Sequence, residues 1–141
     1  MYDDAPRILT VDSGPIIGVM YEDDEHHEAS RRGFRQLMLA GTTIVVPVPI
    51  VFEVYKRLAY DVGPTFAHRG LNYMQSSLTL LYLESKDLDA LNLLVLSMPW
   101  WGGSLEDAAV AMVGRAREIP VWTFNYRDFA AFRDLSLWNP A

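Results

Sequence analysis

The chain has no cysteine among its 141 residues. Disulfides and thiolate-held metals are therefore excluded, and a cytoplasmic setting is expected. It has no apolar run of 18 residues or more, so no transmembrane helix is expected. The start "MYDDAPR" lacks a basic stretch followed by an apolar one, so no secretory signal is expected. Repeats, low-complexity tracts and linkers are missing, which fits a single domain over 1–141. A chain near 150 residues buries about 68–70% of its unfolded surface, enough for a real core. Lysine is scarce: only Lys56 and Lys86 occur, the other cations being arginine. Twelve cations against 18 anions leave a net charge of −6. Such a surface does not attract nucleic acid by charge alone. A polyanionic substrate would need metal ions or a local basic patch.

What is present alternates. "RILTVD" (7–12) reads as a buried strand ending in Asp12, followed by a short helix through "GPIIGVMYEDD" with Pro15 near its start. "DDEHHEASRRGFRQLMLAG" (23–41) reads as a helix capped by Asp24 and stopped by Gly41. A strand is expected at 42–47, helices at 49–63 and 64–76, a strand at 78–83 and a helix at 85–98 ended by Pro99. After the loop "PWWGG", Ser104 opens a helix over 104–118. A strand "PVWTF" (120–124) follows, with "LSLW" (135–138) as a possible last one. Strands alternating with helices predict an α/β domain with a mainly parallel sheet.

In such sheets ligands bind beyond the carboxyl ends of the strands. Asp12 closes the first strand. Glu53 lies early in the helix after the second. Asp107 is in the first turn of the helix from Ser104. Asn125 closes the strand at 121–124, and Asp128 follows. Crowded carboxylates repel and resist ionising together. A hard divalent cation with oxygen ligands, Mg²⁺ or Mn²⁺, removes that conflict and assists phosphodiester hydrolysis.

Each residue also has a local explanation. Asp12 can cap the helix near Gly14. Glu53 can pair with Lys56 or Arg57. Ser104-x-x-Asp107 fits a capping box, although the acid's second oxygen would stay free. Asn125 and Asp128 fit an Asx-type turn. His26 and His27 look like ligands, but neighbours on a helix point about 100° apart, so an exposed acidic first turn is the simpler reading. Trp100-Trp101 suits base stacking, a core lid or an interface. Arg31, Arg32 and Arg35 suit a pair with Glu28 or a phosphate patch. Phe124, Tyr126, Phe129 and Phe132 suit packing.

The stretches "ILTVDSGPIIGVMYEDDEHHEAS", "VPVPIVFEVYKRL", "SLEDAAVAMVGRAREIPVWTFNYRDF" and "LSLWNP" together resemble PIN-domain ribonucleases, in particular VapC-type toxins. The resemblance spans nearly the whole chain in order. It implies a three-layer α/β/α fold, a Mg²⁺- or Mn²⁺-dependent endoribonuclease acting on RNA, a small antitoxin partner and a homodimer. Asp12, Glu53 and Asp107 match the three main acidic positions. The fourth, an acid in many members, matches Asn125, with Asp128 three residues on. The catalytic set implied is Asp12, Glu53, Asp107 and Asp128. The metal set implied is Asp12 and Asp107 with Asn125 or Asp128. Ser13 matches a small hydroxyl position, whereas Gly14-Pro15 is less usual.

Two other functions compete. One is a catalytically weak PIN-like module that binds RNA or protein, motivated by Asn125 and the acidic surface. The other is a phosphoacceptor receiver domain, which needs a Lys at a late strand end; Lys56 and Lys86 both fall on expected helices. Without Cys or a G-x-S-x-G sequence, two common hydrolytic sites are absent.

Overall fold

A computed structural model describes residues 5–141, so the first part of "MYDDAPR" lies outside the described residues. Among them are four strands and seven helices. The strands are β1 (Ile8–Val11), β2 (Thr43–Pro47), β3 (Thr79–Leu81) and β4 (Val121–Trp122). They form one all-parallel sheet in the order β3-β2-β1-β4. The strands are Val-, Ile- and Leu-rich because a sheet covered on both faces has no wet side to alternate toward. Leu9, Val11, Val46, Val121 and Trp122 are fully buried.

The helices flanking the sheet are α1 (Ser13–Met20), α2 (His27–Ala40), α3 (Val48–Asp61), α4 (Pro64–Ser77), α5 (Ser85–Leu96), α6 (Leu105–Arg117) and α7 (Tyr126–Phe129). In α3, Ile50, Val51, Val54 and Leu58 fall at helical spacing and are buried, which turns Glu53 away from the core stripe. In α6, Ala108, Ala109 and Ala111 let the helix lie close against its neighbours.

Several expectations shift. The first helix stops at Met20, short of the acids at 22–25, and α2 begins at His27 rather than Asp23. Acids at a helix C-terminus oppose its dipole. Asp24 does not cap α2; its Oδ2 accepts the His26 N–H at 3.0 Å and closes a turn ahead of the helix. "LSLW" contributes a single parallel bridge, Leu137 to Val121, and no strand. Gly41 ends α2 in the left-handed region at φ 72°, as a C-terminal glycine should.

The chain leaves β1 in one direction for β2 and β3, then returns to the other side of β1 for β4. The switch point therefore lies between β1 and β4. Backbone bonds fasten it: Asp12 N–H donates to Trp122 O at 2.9 Å, and Thr10 N–H to Pro120 O at 3.0 Å. A crevice opens beyond the carboxyl ends of neighbouring strands at such a point.

Candidate active site

A cleft of about 470 Å³ occupies that crevice, lined among others by Asp12, Glu53, Asp107 and Asn125. Asp12 comes from the end of β1, Glu53 from the second turn of α3 and Asp107 from the first turn of α6. One carboxylate oxygen from each lies within 4.8 Å of the others. Asn125 borders the same cleft from the end of β4. Asp128 stands one bond further out, joined through Asn125.

The local explanations hold in part. Asp12 occupies the N-cap position of α1 but makes no capping bond to it. Its Oδ2 instead accepts the Thr123 hydroxyl at 2.7 Å, and its Oδ1 is buried without a hydrogen-bond partner. Glu53 meets Arg57 at 4.0 Å, a long contact, and its Oε1 is also buried and unpartnered. Ser104 Oγ accepts the Asp107 N–H at 3.0 Å, the capping half of the expected box. Asn125 caps α7, its Oδ1 accepting the Asp128 N–H at 3.4 Å. Its Nδ2 donates to Asp107 Oδ2 at 3.1 Å and to Asp128 Oδ2 at 3.0 Å. The amide thus turns its N–H₂ toward the acids and its oxygen toward the backbone, an orientation fixed by the partners it faces.

The electrostatics follow from crowding. Burial first, and then the charge of Asp107, push Asp12 up from 3.8 to about 7, against the Thr123 hydroxyl that favours its ionised form. Burial and then Asp107 raise Glu53. Burial raises Asp107, while its ties to Ser104 and Asn125 pull the other way and Asp128 adds repulsion. Orphaned buried oxygens on converging carboxylates, each resisting ionisation, fit a hard cation with oxygen ligands. The donor set of three carboxylates with no Cys or His suits Mg²⁺ or Mn²⁺.

One residue behind the cleft carries a part that the sequence left unassigned. Thr123 ties Asp12 and also accepts the Asn125 N–H at 2.9 Å, so one hydroxyl links β1 to the turn after β4. The T-x-N spacing was the available signal. Ser13, Arg57 and His26 line the cleft itself. His26, which the sequence alone reads as part of an exposed acidic first turn, instead lines the cleft and stacks on Phe124. Elsewhere, His27 Nδ1–H donates to Gly18 O at 2.7 Å, since a carbonyl can only accept. Arg31 pairs with Glu28 at 3.7 Å. Trp101 packs edge-on against Phe132, while Trp100 is exposed. Phe129 and Phe132 are core residues.

No family model and no curated protein sequence matches the chain. Solved structures do. The Mycobacterium tuberculosis toxin VapC20, described as cleaving the sarcin–ricin loop, aligns with a TM-score of 0.75 at 16% identity, over 87% of this chain and 93% of that one. The Salmonella typhimurium VapBC complex bound to DNA aligns at 0.74 and 14% identity, over 96% of this chain and 100% of the matched one. The Rickettsia felis VapBC2 complex, bound to a DNA fragment from its promoter, aligns at 0.73 and 16% identity, over 94% and 98%. The chain has the PIN-domain fold of VapC toxins. At these identities the likeness is one of fold. No helix of the described residues is long and apolar enough to cross a membrane.

Proposed function

We infer that the chain is a Mg²⁺- or Mn²⁺-dependent endoribonuclease, one PIN-like domain over 1–141 that acts in the cytoplasm as the toxin of a toxin–antitoxin pair. One observation carries the reading: acids from three distant segments converge within 4.8 Å, two of them with buried, unpartnered oxygens. A structural acid does not leave a buried oxygen unpaired without cost. The toxin complexes among the fold's neighbours support a small antitoxin as partner. A homodimer is part of the same reading.

Asp12 and Asp107 would hold the cation; Asn125, whose oxygen caps α7 while its N–H₂ faces the acids, would have to turn its amide over to join them, and Asp128 lies behind it. When bound, such an ion makes water a stronger nucleophile and stabilises charge on the phosphate oxygens. Thr123 orients the Asp12 carboxylate by its 2.7 Å bond. Glu53 Oε1, unpartnered at the cleft, is assigned to accept a proton from the attacking water. Asn125 spreads two N–H donors across Asp107 and Asp128, easing their repulsion without adding charge.

The test is cleavage of RNA by the purified chain with Mg²⁺ and with Mn²⁺, repeated with chelator and with Asp12→Asn. Cleavage that needs the metal and Asp12 is the expected result. Intact RNA under both ions at high protein concentration would sink the enzyme reading. It would favour the RNA- or protein-binding module, to which the uncharged Asn125 already points.

A further inference from the structure

The cleft holds more than acids. His26, Phe124 and Arg57 line it, and the hydrolytic reading uses none of them. His26 and Phe124 build one wall, their ring centroids 4.1 Å apart and their planes 13° from parallel. Gly14 makes room for it: a Cβ there would meet Phe124 Cδ2 at 3.2 Å. Trp122, wholly buried, supports Phe124 edge-on at 6.1 Å. One face of the imidazole is covered by Phe124, yet the side chain is still 42% exposed. Its Nε2 sits 3.3 Å from Glu25 Oε2, and its backbone N–H is tied to Asp24, so the ring is held in place. A fixed aromatic face at a cleft is what an unstacked nucleobase seeks. Asp24 and Glu25 share this wall and repel phosphate from it. The base, not the backbone, belongs here.

Arg57 supplies the complementary charge. It is the one Arg or Lys among the described residues lining the cleft. Its NH1 lies 3.5 Å from Ser13 Oγ and 4.0 Å from Glu53 Oε2, both at or beyond the edge of bonding. Its side chain is 44% exposed. Most of its five donors are therefore free for a phosphate.

We propose that the cleft takes one unstacked nucleotide of RNA, its base on the His26–Phe124 wall and its phosphate at Arg57. A base inside a helix has both faces covered, so the wall serves an unpaired nucleotide. The proposal rests on the ribonuclease reading and deepens it by naming two positioning residues at the same cleft.

The test is steady-state cleavage, with Mg²⁺, of a single-stranded oligoribonucleotide and of the same sequence in a duplex. Mg²⁺ affinity is measured alongside by calorimetry. The native chain should favour the single strand at least about tenfold in kcat/KM. His26→Ala should raise KM about tenfold, with kcat and Mg²⁺ affinity near native. His26→Phe should keep the native KM, since it restores the face. Arg57→Gln should raise KM to a similar degree, and Arg57→Lys less. If His26→Ala melts early, His26→Gln removes the aromatic face with less disturbance, and the same rise is expected. Native KM values in the His26 and Arg57 variants, or duplex cleaved as well as single strand, would overturn the proposal and leave the ribonuclease reading standing. A native chain that cleaves no RNA defeats that reading itself, and the proposal with it.

Discussion

Asp87 and Asp107 occupy the same place in two helices. Each is the third residue after the N-cap, Glu84 for α5 and Ser104 for α6. Asp87 turns back: its Oδ2 accepts the Glu84 N–H at 2.8 Å, in an exposed turn. Asp107 has its own N–H capped by Ser104, and its Oδ2 faces outward from the helix to Asn125, beside Asp12 and Glu53. It is only 9% exposed. One local rule, an acid in a first turn, thus yields a cap in one helix and a site residue in the other. What decides is the surroundings. At α5 the acid meets water and its own backbone. At α6 the sheet's switch point brings other carboxylates to it.

The largest effect expected separates the two acids directly. Asp107→Asn, like Asp12→Asn, should lower Mg²⁺ affinity at least about 100-fold, more than loss of an outer partner costs, and stop RNA cleavage. Asp87→Asn should leave both within a factor of two or so. Calorimetry and a cleavage assay read this. Equal damage from both substitutions would erase the distinction.

A second contrast lies in pH. Asp12 ionises near 3.8 when unfolded but only near 7 when folded. Between those values the folded chain binds more protons than the unfolded one. The acid site's contribution is therefore most favourable below about pH 4, declines as pH rises and levels off above about 7. Glu53 and Asp107 shift in the same direction. Without metal, Asp12→Asn should stabilise the fold at pH 8, by an amount on the order of a few kcal/mol. Urea midpoints in chelator at pH 4.5 and pH 8 measure it, and saturating Mg²⁺ should reverse the trend by binding only the folded form. Asn125→Asp sharpens the point. It replaces two N–H donations with a third charge beside Asp107 and Asp128, so it should destabilise the metal-free chain and tighten Mg²⁺. If neither changes, Asn125 serves only as the cap of α7.

Much of this was legible because the signals are local and repeated. Strand ends, the Ser104 cap and the Gly41 stop are written within a few residues, and so the element order follows. The acids at 12, 53 and 107 could be picked because each sits at the end or start of an element, where a parallel sheet puts its ligands. Other features were not legible because they depend on distance in space. α1 ends at Met20, ahead of the acids at 22–25, and His26 lies on Phe124 only because the fold brings the segment before α2 against the end of β4. Thr123 matters only because β4 pairs with β1. Whether Asn125 offers oxygen or N–H depends on Asp107, 18 residues away and on another element.

The smallest effect returns to the two caps. Ser104→Ala and Asp87→Ala each remove one hydrogen bond at a helix start, and each should cost about 1 kcal/mol of stability. In urea unfolding the two variants should look alike. They should part on metal. Asp87→Ala touches nothing near the cleft, so Mg²⁺ affinity should stay native. Ser104→Ala frees the first turn of α6, and Asp107 then samples orientations that no longer face Asp12 and Glu53. A loss of up to about tenfold in Mg²⁺ affinity is expected, within the range for a residue that orients a ligand. If Ser104→Ala binds Mg²⁺ as the native chain does, then Asn125 alone holds Asp107 in place, and the cap only starts the helix.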